Sequence, residues 1–267
     1  MKISIIICFY KRLDYLKYCI DSFRNQAMDF NELIIADDGS DDPVVSKIKE
    51  IRSGYNFPII HAWHPRDGSR RAACRNNGIR HASGDYLIFL DTDFLVLPDF
   101  VKTHKKLAKS GSFVAGSCKY LDEQQTKVIL SAKISDAILE STYQRIPEDQ
   151  IIKQHHEFIK LNVFRQFRIP GAFPKFGGHF SAYKEDIEHI NGYDENFVGW
   201  GGEDIDVSIR MSKAGFKGCS AIRDARALHL WHLKDVVHWK EGPNIEYVHR
   251  KNIPFYCENG LVKKQRT

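Results

Sequence analysis

Apolar runs and helical periodicities alternate along the amino-terminal part of the chain. Ile3 to Phe9, Glu32 to Ala36 and Tyr86 to Leu90 are largely apolar and rich in branched side chains, which predicts strands buried on both faces. Apolar residues at positions 13, 16, 20 and 23 have helical spacing, and a further helix is predicted over 71–81. Strands and helices that alternate with short connections predict an α/β protein with a mostly parallel central sheet flanked by helices.

The rest of the chain continues this alternation with one interruption. Strands are predicted at Ser112 to Ser117 and at Phe180 to Tyr183, and a helix runs from Glu203 to Ala214. The stretch 122–168 is charged and helix-prone, which indicates a helical insertion or lid rather than a second domain. A chain of 267 residues can bury one substantial core, so we expect a single domain over 1–267.

Polar groups follow the ends of the predicted parallel strands, where α/β sheets form their binding crevices. These groups are Cys8 to Arg12, Asp37-Asp38 and Asp91-Thr92-Asp93. Two carboxylates directly after a strand suit magnesium or manganese, which prefer carboxylate and phosphate oxygens. A turn whose aspartates cap the next helix would give the same residues, so this motif alone leaves both interpretations open.

A glycine-rich segment, Gly199-Trp200-Gly201-Gly202-Glu203-Asp204, precedes the last predicted helix. Glycines let a ligand approach the backbone, and a tryptophan face can stack on a sugar ring. Glu203 and Asp204 would lie at the helix amino terminus, where the helix dipole favours their ionised forms. A plain helix start would explain the two acids but not the glycines around one tryptophan.

Two further groups could join these residues. The pair His229 and His232 could pack in the core or return to the crevice as metal ligands. Arg70, Arg71 and Arg75 follow a predicted strand, and the guanidinium fork matches phosphate oxygens. For Arg70 we favour a solvated helix face.

Composition narrows the class of protein. The net charge of +5 is mild and suits a protein that handles polyanionic small molecules or lies near an anionic surface. The six cysteines show no C-x-x-C pair and are interpreted as reduced thiols. Neither a secretory signal nor an apolar stretch of membrane length is visible, so we expect a cytoplasmic protein, peripheral at most to the inner face of the membrane. The glycine signatures of dinucleotide dehydrogenases and P-loop NTPases are both missing.

Taken together, these segments resemble the family 2 glycosyltransferases of the GT-A fold. The matching segments, in order, are Ser4 to Tyr10, Ile35 to Ser40, Cys74-Arg75-Asn76 and Gly84 to Asp93. The carboxyl half is similar to chondroitin polymerases, β-1,4-galactosyltransferases and polypeptide N-acetylgalactosaminyltransferases, which share a W-G-G-E-D-like segment and a later metal-binding histidine. The resemblance implies a GT-A domain with a nucleotide-sugar-binding half over 1–97, an acceptor-binding half over 98–240 that contains the insertion, and a carboxyl-terminal extension over 241–267.

The resemblance also implies roles in donor binding. Phe9, Tyr10 and Arg12 would line the nucleotide base and ribose, and Asp38 would contact uracil. Arg75 would lie near the diphosphate, although some relatives use a residue like Arg71.

Further roles concern the sugar, the metal and the reaction. Asp91 would face the ribose or sugar, and Asp93 would bind manganese or magnesium together with His229, with His232 as the reserve ligand. Trp200, Gly201 and Gly202 would shape the pocket for the acceptor and the donor sugar. Glu203 would bind a sugar, and Asp204 would be the catalytic base.

The implied reaction is inverting transfer of a sugar from a UDP-sugar to an acceptor hydroxyl. Retaining polypeptide transferases usually have asparagine after the glutamate, so Asp204 favours inversion. The implied partners are the UDP-sugar and a saccharide acceptor, which would be lipid-linked in bacterial surface-polysaccharide synthesis; nucleic acid is not expected. Two alternatives stay open: a nucleotidyltransferase, and a noncatalytic carbohydrate- or nucleic-acid-binding module.

Overall fold

A seven-stranded sheet forms the centre of the protein in the computed structural model, which describes residues 1–233 and 244–263. Across the sheet the strands are β3 (Ile59–Trp63), β2 (Glu32–Asp37), β1 (Ile3–Phe9), β4 (Tyr86–Asp91), β8 (Phe180–Tyr183), β6 (Ser112–Ala115) and β9 (Lys217–Ser220). All pairs are parallel except those of β8, which runs antiparallel to β4 and β6. The predicted mostly parallel sheet is therefore confirmed.

Helices cover both faces of this sheet, as predicted. They are α1 (Leu13–Asp21), α2 (Asp42–Arg52), α3 (Arg71–His81), α4 (Phe100–Leu107), α8 (Lys184–His189), α9 (Glu203–Lys213) and α10 (Asn244–Val248), with a short 3-10 turn at Arg24–Gln26. Alternation along β1 divides the core, because Ile5 and Ile7 join the cluster that contains α1 whereas Ile6 and Cys8 join the cluster that contains α3 and α9. Each fully buried aliphatic side chain of this kind contributes about 1.5–3 kcal/mol.

A second, three-stranded sheet brings the chain back to the end of β4. Strand β10 (Ala227–His229) pairs antiparallel with β5 (Phe94–Val96) and parallel with β7 (Lys119–Tyr120). This sheet was not predicted, since strands of two or three residues carry no measurable alternation. Its register places His229 opposite Phe94, one residue after Asp93.

The segment 122–168 forms three helices: α5 (Glu123–Ser131), α6 (Asp136–Arg145) and α7 (Asp149–Gln166). Leu139 of α6 shares a buried cluster with Leu95 and Leu228 of the small sheet. Phe158 of α7 packs edge-on against Phe113 of β6, with 6.5 Å between ring centroids. These helices are therefore a packed layer of the domain and not a free lid, and their effect on acceptor choice remains a prediction.

The predicted carboxyl-terminal extension, 241–267, is described for residues 244–263, and its other positions lie outside the described residues. The described part folds back on the domain. Asn244 donates from Nδ2 to the Gly201 carbonyl at 2.9 Å, and Arg250 pairs with Asp206 of α9 at 2.9 Å. Within 1–233 and 244–263, no helix is both long and apolar enough to cross a membrane.

Candidate active site

The carboxyl ends of β1, β2 and β4 meet at one edge of the sheet. Asp38 follows β2, and its amide donates to the Phe9 carbonyl at 3.0 Å. The Asp38 carboxylate, which is 3% exposed, accepts from the Arg70 amide at 3.0 Å and pairs with Arg66. The Arg66 guanidinium lies over the Tyr10 ring at 3.9 Å. Arg66 thus joins Asp38 to Tyr10, and the contact of both with a nucleotide base stays a prediction.

The turn after Asp38 requires glycine. Gly39 has φ of 78°, and a Cβ there would lie 2.5 Å from the Arg66 backbone. Only a residue without a side chain permits this approach at little cost. The turn therefore fixes Arg66 and Asp38 relative to each other.

Two arginines and three carboxylates form the centre of the site, which we call the charge cluster: Arg71, Arg75, Asp91, Glu203 and Asp204. Arg75 donates to Asp91 and to Glu203, both at 2.8 Å, and lies 3.5 Å from Asp204. Arg71 pairs with Asp91 and lies 3.5 Å from Glu203. The pairing holds Asp91 and Glu203 in place and neutralises most of their charge.

Asp204 is the open member of the charge cluster. Its side chain is 40% exposed, against 6% for Glu203 and 22% for Asp91. The Tyr193 hydroxyl donates to Asp204 Oδ1 at 3.1 Å, while Oδ2 is the oxygen nearer to Arg75. The two acids at the start of α9 thus occupy different environments, as their neighbouring positions on a helix predict.

The environment of Asp204 changes its proton affinity. Loss of hydration inside the cleft, opposed by Arg75 and reinforced by Glu203 and Asp91, raises the pKa of Asp204 to about 6. We expected the helix dipole to favour the ionised form, whereas the pKa of Asp204 is raised, with the loss of hydration as the largest cause. A carboxylate with this pKa is ionised at neutral pH and holds a proton more readily than an ordinary aspartate.

Asp93, His229 and His232 form a second group beside the charge cluster. One ligand atom of each lies within 4.8 Å of the others. His229 Nε2 is 3.6 Å from Asp93 Oδ1, and His232 Nε2 is 3.1 Å from Oδ2. Burial raises the pKa of Asp93, but the His232 hydrogen bond and the His229 and His232 charges outweigh it and lower that pKa overall.

This group has the chemistry of a divalent cation site. Asp93 Oδ1 is buried without a hydrogen-bond partner, an arrangement that a bound cation would satisfy. One carboxylate and two imidazoles suit manganese and related metals. The structure therefore brings His232, our reserve ligand, as well as His229 to Asp93, and which of them bind a metal stays a prediction.

The Gly199–Gly202 loop lies beside the start of α3, where Gly199 pairs with Arg70. The Gly199 amide donates to the Ser69 carbonyl at 2.8 Å, and Gly202 begins α9 with φ of 94°. Trp200 is 42% exposed and leaves its ring available to a ligand. The loop therefore joins the start of α3 to the start of α9 with an open tryptophan between them.

Three predicted positions differ from expectation. The Phe9 side chain is 1% exposed in the core, because alternation along β1 places it on the same face as Ile7, so it cannot line a base pocket. Arg75, 3% exposed, lies within the charge cluster instead of facing a diphosphate. Arg12 lies over Tyr15 at 5.6 Å, and the Tyr15 hydroxyl donates to the Trp231 carbonyl at 2.6 Å, which places Arg12 beside the segment that carries His232.

Sequence reasoning also missed two residues. Arg66 lies in a connection with no periodic signal, so nothing in the sequence pointed to Tyr10 and Asp38 as its partners. Tyr193 follows Asn191-Gly192 and could have been noticed as an aromatic residue next to a turn. Its contact with Asp204 depends on tertiary packing, because Asn76 fixes its backbone through hydrogen bonds of 2.8 Å at both the amide and the carbonyl.

The family comparison covers most of the chain. The model for glycosyl transferase family 2 matches residues 4–189, and the model described as the N-terminal domain of galactosyltransferase matches residues 160–233. The two matches overlap over residues 160–189, and the predicted division into halves at residues 97 and 98 stays a prediction. They identify a glycosyltransferase and remove the nucleotidyltransferase and noncatalytic alternatives.

Curated relatives share part of their length with this chain. Validoxylamine A glucosyltransferase of Streptomyces hygroscopicus subsp. jinggangensis is 27% identical over 222 residues, which is 80% of this chain and 52% of that protein. Chondroitin synthase of Escherichia coli is 27% identical over 229 residues, which is 80% of this chain and 32% of that protein. The chain thus spans about half or less of the length of these relatives.

Solved structures confirm the GT-A fold. The mannosyltransferase PcManGT of Pyrobaculum calidifontis, in complex with GDP-Man and Mn2+, is similar over 86% of this chain and 56% of its own, with a TM-score of 0.57 and 15% identity. The catalytic domain of Drosophila β-1,4-galactosyltransferase 7, in complex with xylobiose, is similar over 97% of this chain and 82% of its own, with a TM-score of 0.53 and 16% identity.

Proposed function

The chain belongs to glycosyl transferase family 2, and we propose that it transfers a sugar from a UDP-sugar to a saccharide hydroxyl with inversion at the anomeric carbon. The observation that carries this proposal is the unequal pairing inside the charge cluster. Asp91 and Glu203 are held by arginines, whereas Asp204 is the open carboxylate. One open carboxylate suits a reaction that needs one base and no protein nucleophile.

Asp204 acts as the base in this reaction. Its carboxylate takes the proton from the acceptor hydroxyl while that oxygen forms a bond to the anomeric carbon. The bond from the anomeric carbon to the diphosphate oxygen breaks in the same step, and UDP leaves with the electron pair. The raised pKa of Asp204, about 6, makes it a better proton acceptor than an ordinary aspartate.

Tyr193 and Arg75 orient this base. The Tyr193 hydroxyl holds Oδ1 at 3.1 Å, so Oδ2 is the oxygen that takes the proton. Arg75 lies 3.5 Å from Oδ2 and is fixed by its pairs with Asp91 and Glu203. The proton acceptor is therefore placed before substrate arrives, and little reorganisation is needed in the transition state.

Asp93, His229 and His232 would hold manganese or magnesium. Bound there, the cation would offset the negative charge of the diphosphate. Arg12 is exposed and lies over Tyr15, which contacts Trp231 next to His232, and we assign this cation to the diphosphate side.

The donor base lies near Tyr10 and Asp38 in this proposal. Tyr10 is 38% exposed and offers an aromatic face, while Asp38 is anchored by the Arg70 amide and Arg66. The acceptor sugar stacks on Trp200 across the cleft. For the acceptor we propose a saccharide that is lipid-linked, in synthesis of a bacterial surface polysaccharide or glycan.

Nucleotide release tests the proposal. The protein is incubated with manganese and a panel of UDP-hexoses, UDP-N-acetylhexosamines and UDP-glucuronate, and the free nucleoside diphosphate, UDP or GDP, is measured with and without EDTA. We expect release from one class of UDP-sugar, stopped by EDTA. GDP-mannose is the matched comparison, because the similar mannosyltransferase was solved with it. Release from GDP-mannose alone would contradict the uridine assignment, and full release in EDTA would contradict the metal site.

A further inference from the structure

One face of α7 is apolar and exposed. Ile159 and Val163 are 43% and 42% exposed, and Phe167 and Ile169, directly after the helix, are 76% and 44% exposed. Positions 159, 163 and 167 are four residues apart and lie along one side of a helix. The opposite side already packs inward through Phe158, which is 2% exposed. The helix thus carries a second apolar stripe that the domain does not cover.

Cations surround this stripe. Residues 158–176 contain Lys160, Arg165, Arg168 and Lys175 and no aspartate or glutamate. Lys160, Arg168 and Lys175 are exposed, whereas Arg165 donates to the Ser212 carbonyl at 2.6 Å and anchors the helix.

The neighbouring elements add further positive charge. Asn162 of α7 donates to the Gly218 carbonyl at 2.9 Å, and Arg165 binds Ser212, so the adjoining Lys213 and Lys217 lie along the same helix. Lys217 is exposed, whereas the Lys213 ammonium donates to the Ile253 carbonyl at 2.7 Å. Within 158–176, the exposed charges that accompany the apolar side chains are therefore all positive.

We propose that this face, which we call the α7 face (Ile159, Val163, Phe167 and Ile169 with Lys160, Arg168 and Lys175), docks on an anionic phospholipid bilayer. Apolar side chains on a helix can enter the boundary between headgroups and acyl chains, and lysine and arginine gain from anionic headgroups. The absence of acids from 158–176 favours lipid phosphates over a protein partner, whose surface would normally present both signs of charge.

The α7 face is connected to the active site by a short path. After it, Gly177 pairs with Ser117, and Gly178 lies so close to Phe94 that a Cβ would be 2.7 Å from its ring. Phe94 packs edge-on against His229 with 5.3 Å between ring centroids.

Docking itself does not depend on the transferase reaction, so the two proposals can fail separately.

Vesicle co-sedimentation tests the docking proposal. Wild-type protein is mixed with vesicles of phosphatidylcholine alone, or of phosphatidylcholine and phosphatidylglycerol in equal parts. We expect binding to the mixed vesicles that weakens as salt is added, and little binding to the neutral ones. The double variant Phe167→Ser, Ile169→Ser should lose about tenfold or more in affinity, and Arg168→Glu about fivefold or more.

Two matched variants serve as controls. Met28→Ser removes an apolar side chain that is 97% exposed, and Lys47→Glu reverses a lysine that is 61% exposed; both should bind as wild type. UDP release with a soluble acceptor should be the same for all variants, because none of these residues touches the charge cluster. Equal binding to both kinds of vesicle, no loss in the α7 variants, or a dimer that Phe167→Ser dissociates in gel filtration would overturn the proposal.

Discussion

Replacing Tyr193 with phenylalanine should move the pH dependence of the rate. The Tyr193 hydroxyl donates to Asp204 Oδ1 at 3.1 Å and so stabilises the ionised form of Asp204, the base of the proposed reaction. Removing the hydroxyl removes this stabilisation, and the pKa of Asp204 should rise above its value of about 6. The base works only when ionised, so the rising limb of the rate profile should move to higher pH.

The size of the shift follows from the hydrogen bond. Bonds to charged groups contribute about 1.5–3 kcal/mol, and this one falls at the low end because it is long and Asp204 is 40% exposed. About 1.4 kcal/mol corresponds to one pKa unit, so we expect a shift from about 6 to about 7. The rate should then fall about fivefold at about pH 6 and stay nearly unchanged at about pH 8.

The assay is UDP release at saturating donor and acceptor across this pH range. Tyr247→Phe is the matched control, because the Tyr247 hydroxyl donates to Asp194 at 2.7 Å, a similar bond that does not involve the base. Its profile should match that of the wild type. An unmoved profile in Tyr193→Phe, or an equal loss of rate at every pH, would refute the claim that the Tyr193 hydroxyl stabilises ionised Asp204.

Three further predictions concern other parts of the site. Asp93→Ala should lose manganese binding at least tenfold by calorimetry, whereas exposed Asp149→Ala should not. Trp200→Ala should raise the KM for acceptor several-fold, since an aromatic contact contributes about 0.5–1.5 kcal/mol, while donor hydrolysis stays unchanged. Gly39→Ala should destabilise the fold by about 1–3 kcal/mol in chemical denaturation, because a side chain at φ of 78° meets the Arg66 backbone.

The main sheet could be predicted from the sequence because its strands are continuous apolar runs. The predicted bounds of β1 agree with the structure, and those of β2 and β4 agree to within one residue. A strand that is buried on both faces is apolar along its whole length, so the apolar run marks where the strand begins and ends. The small sheet could not be predicted. Its strand β10, Ala227–His229, is a strand only because β5 and β7 pair with it.

The residue types of the site were predictable, but their partners were not. The position of Asp204 at the start of α9 followed from local signals. Which carboxylates of the charge cluster are paired and which is open depends on Arg71 and Arg75. Both arginines belong to α3, which is far from α9 in the sequence. The burial of Phe9 could not be predicted either. Alternation along a strand tells which side chains share a face of the sheet, but it does not tell which face borders the crevice.

The rate of Asp204→Asn tests the central claim most directly. This variant keeps the shape of the side chain and removes the proton acceptor, so kcat should fall about a hundredfold to ten-thousandfold. Donor affinity measured by calorimetry should stay within a few-fold of the wild type, because Asp204 is assigned to the acceptor hydroxyl. Turnover near the wild-type rate in Asp204→Asn, with Glu203→Gln inactive, would contradict the account and assign the base to Glu203.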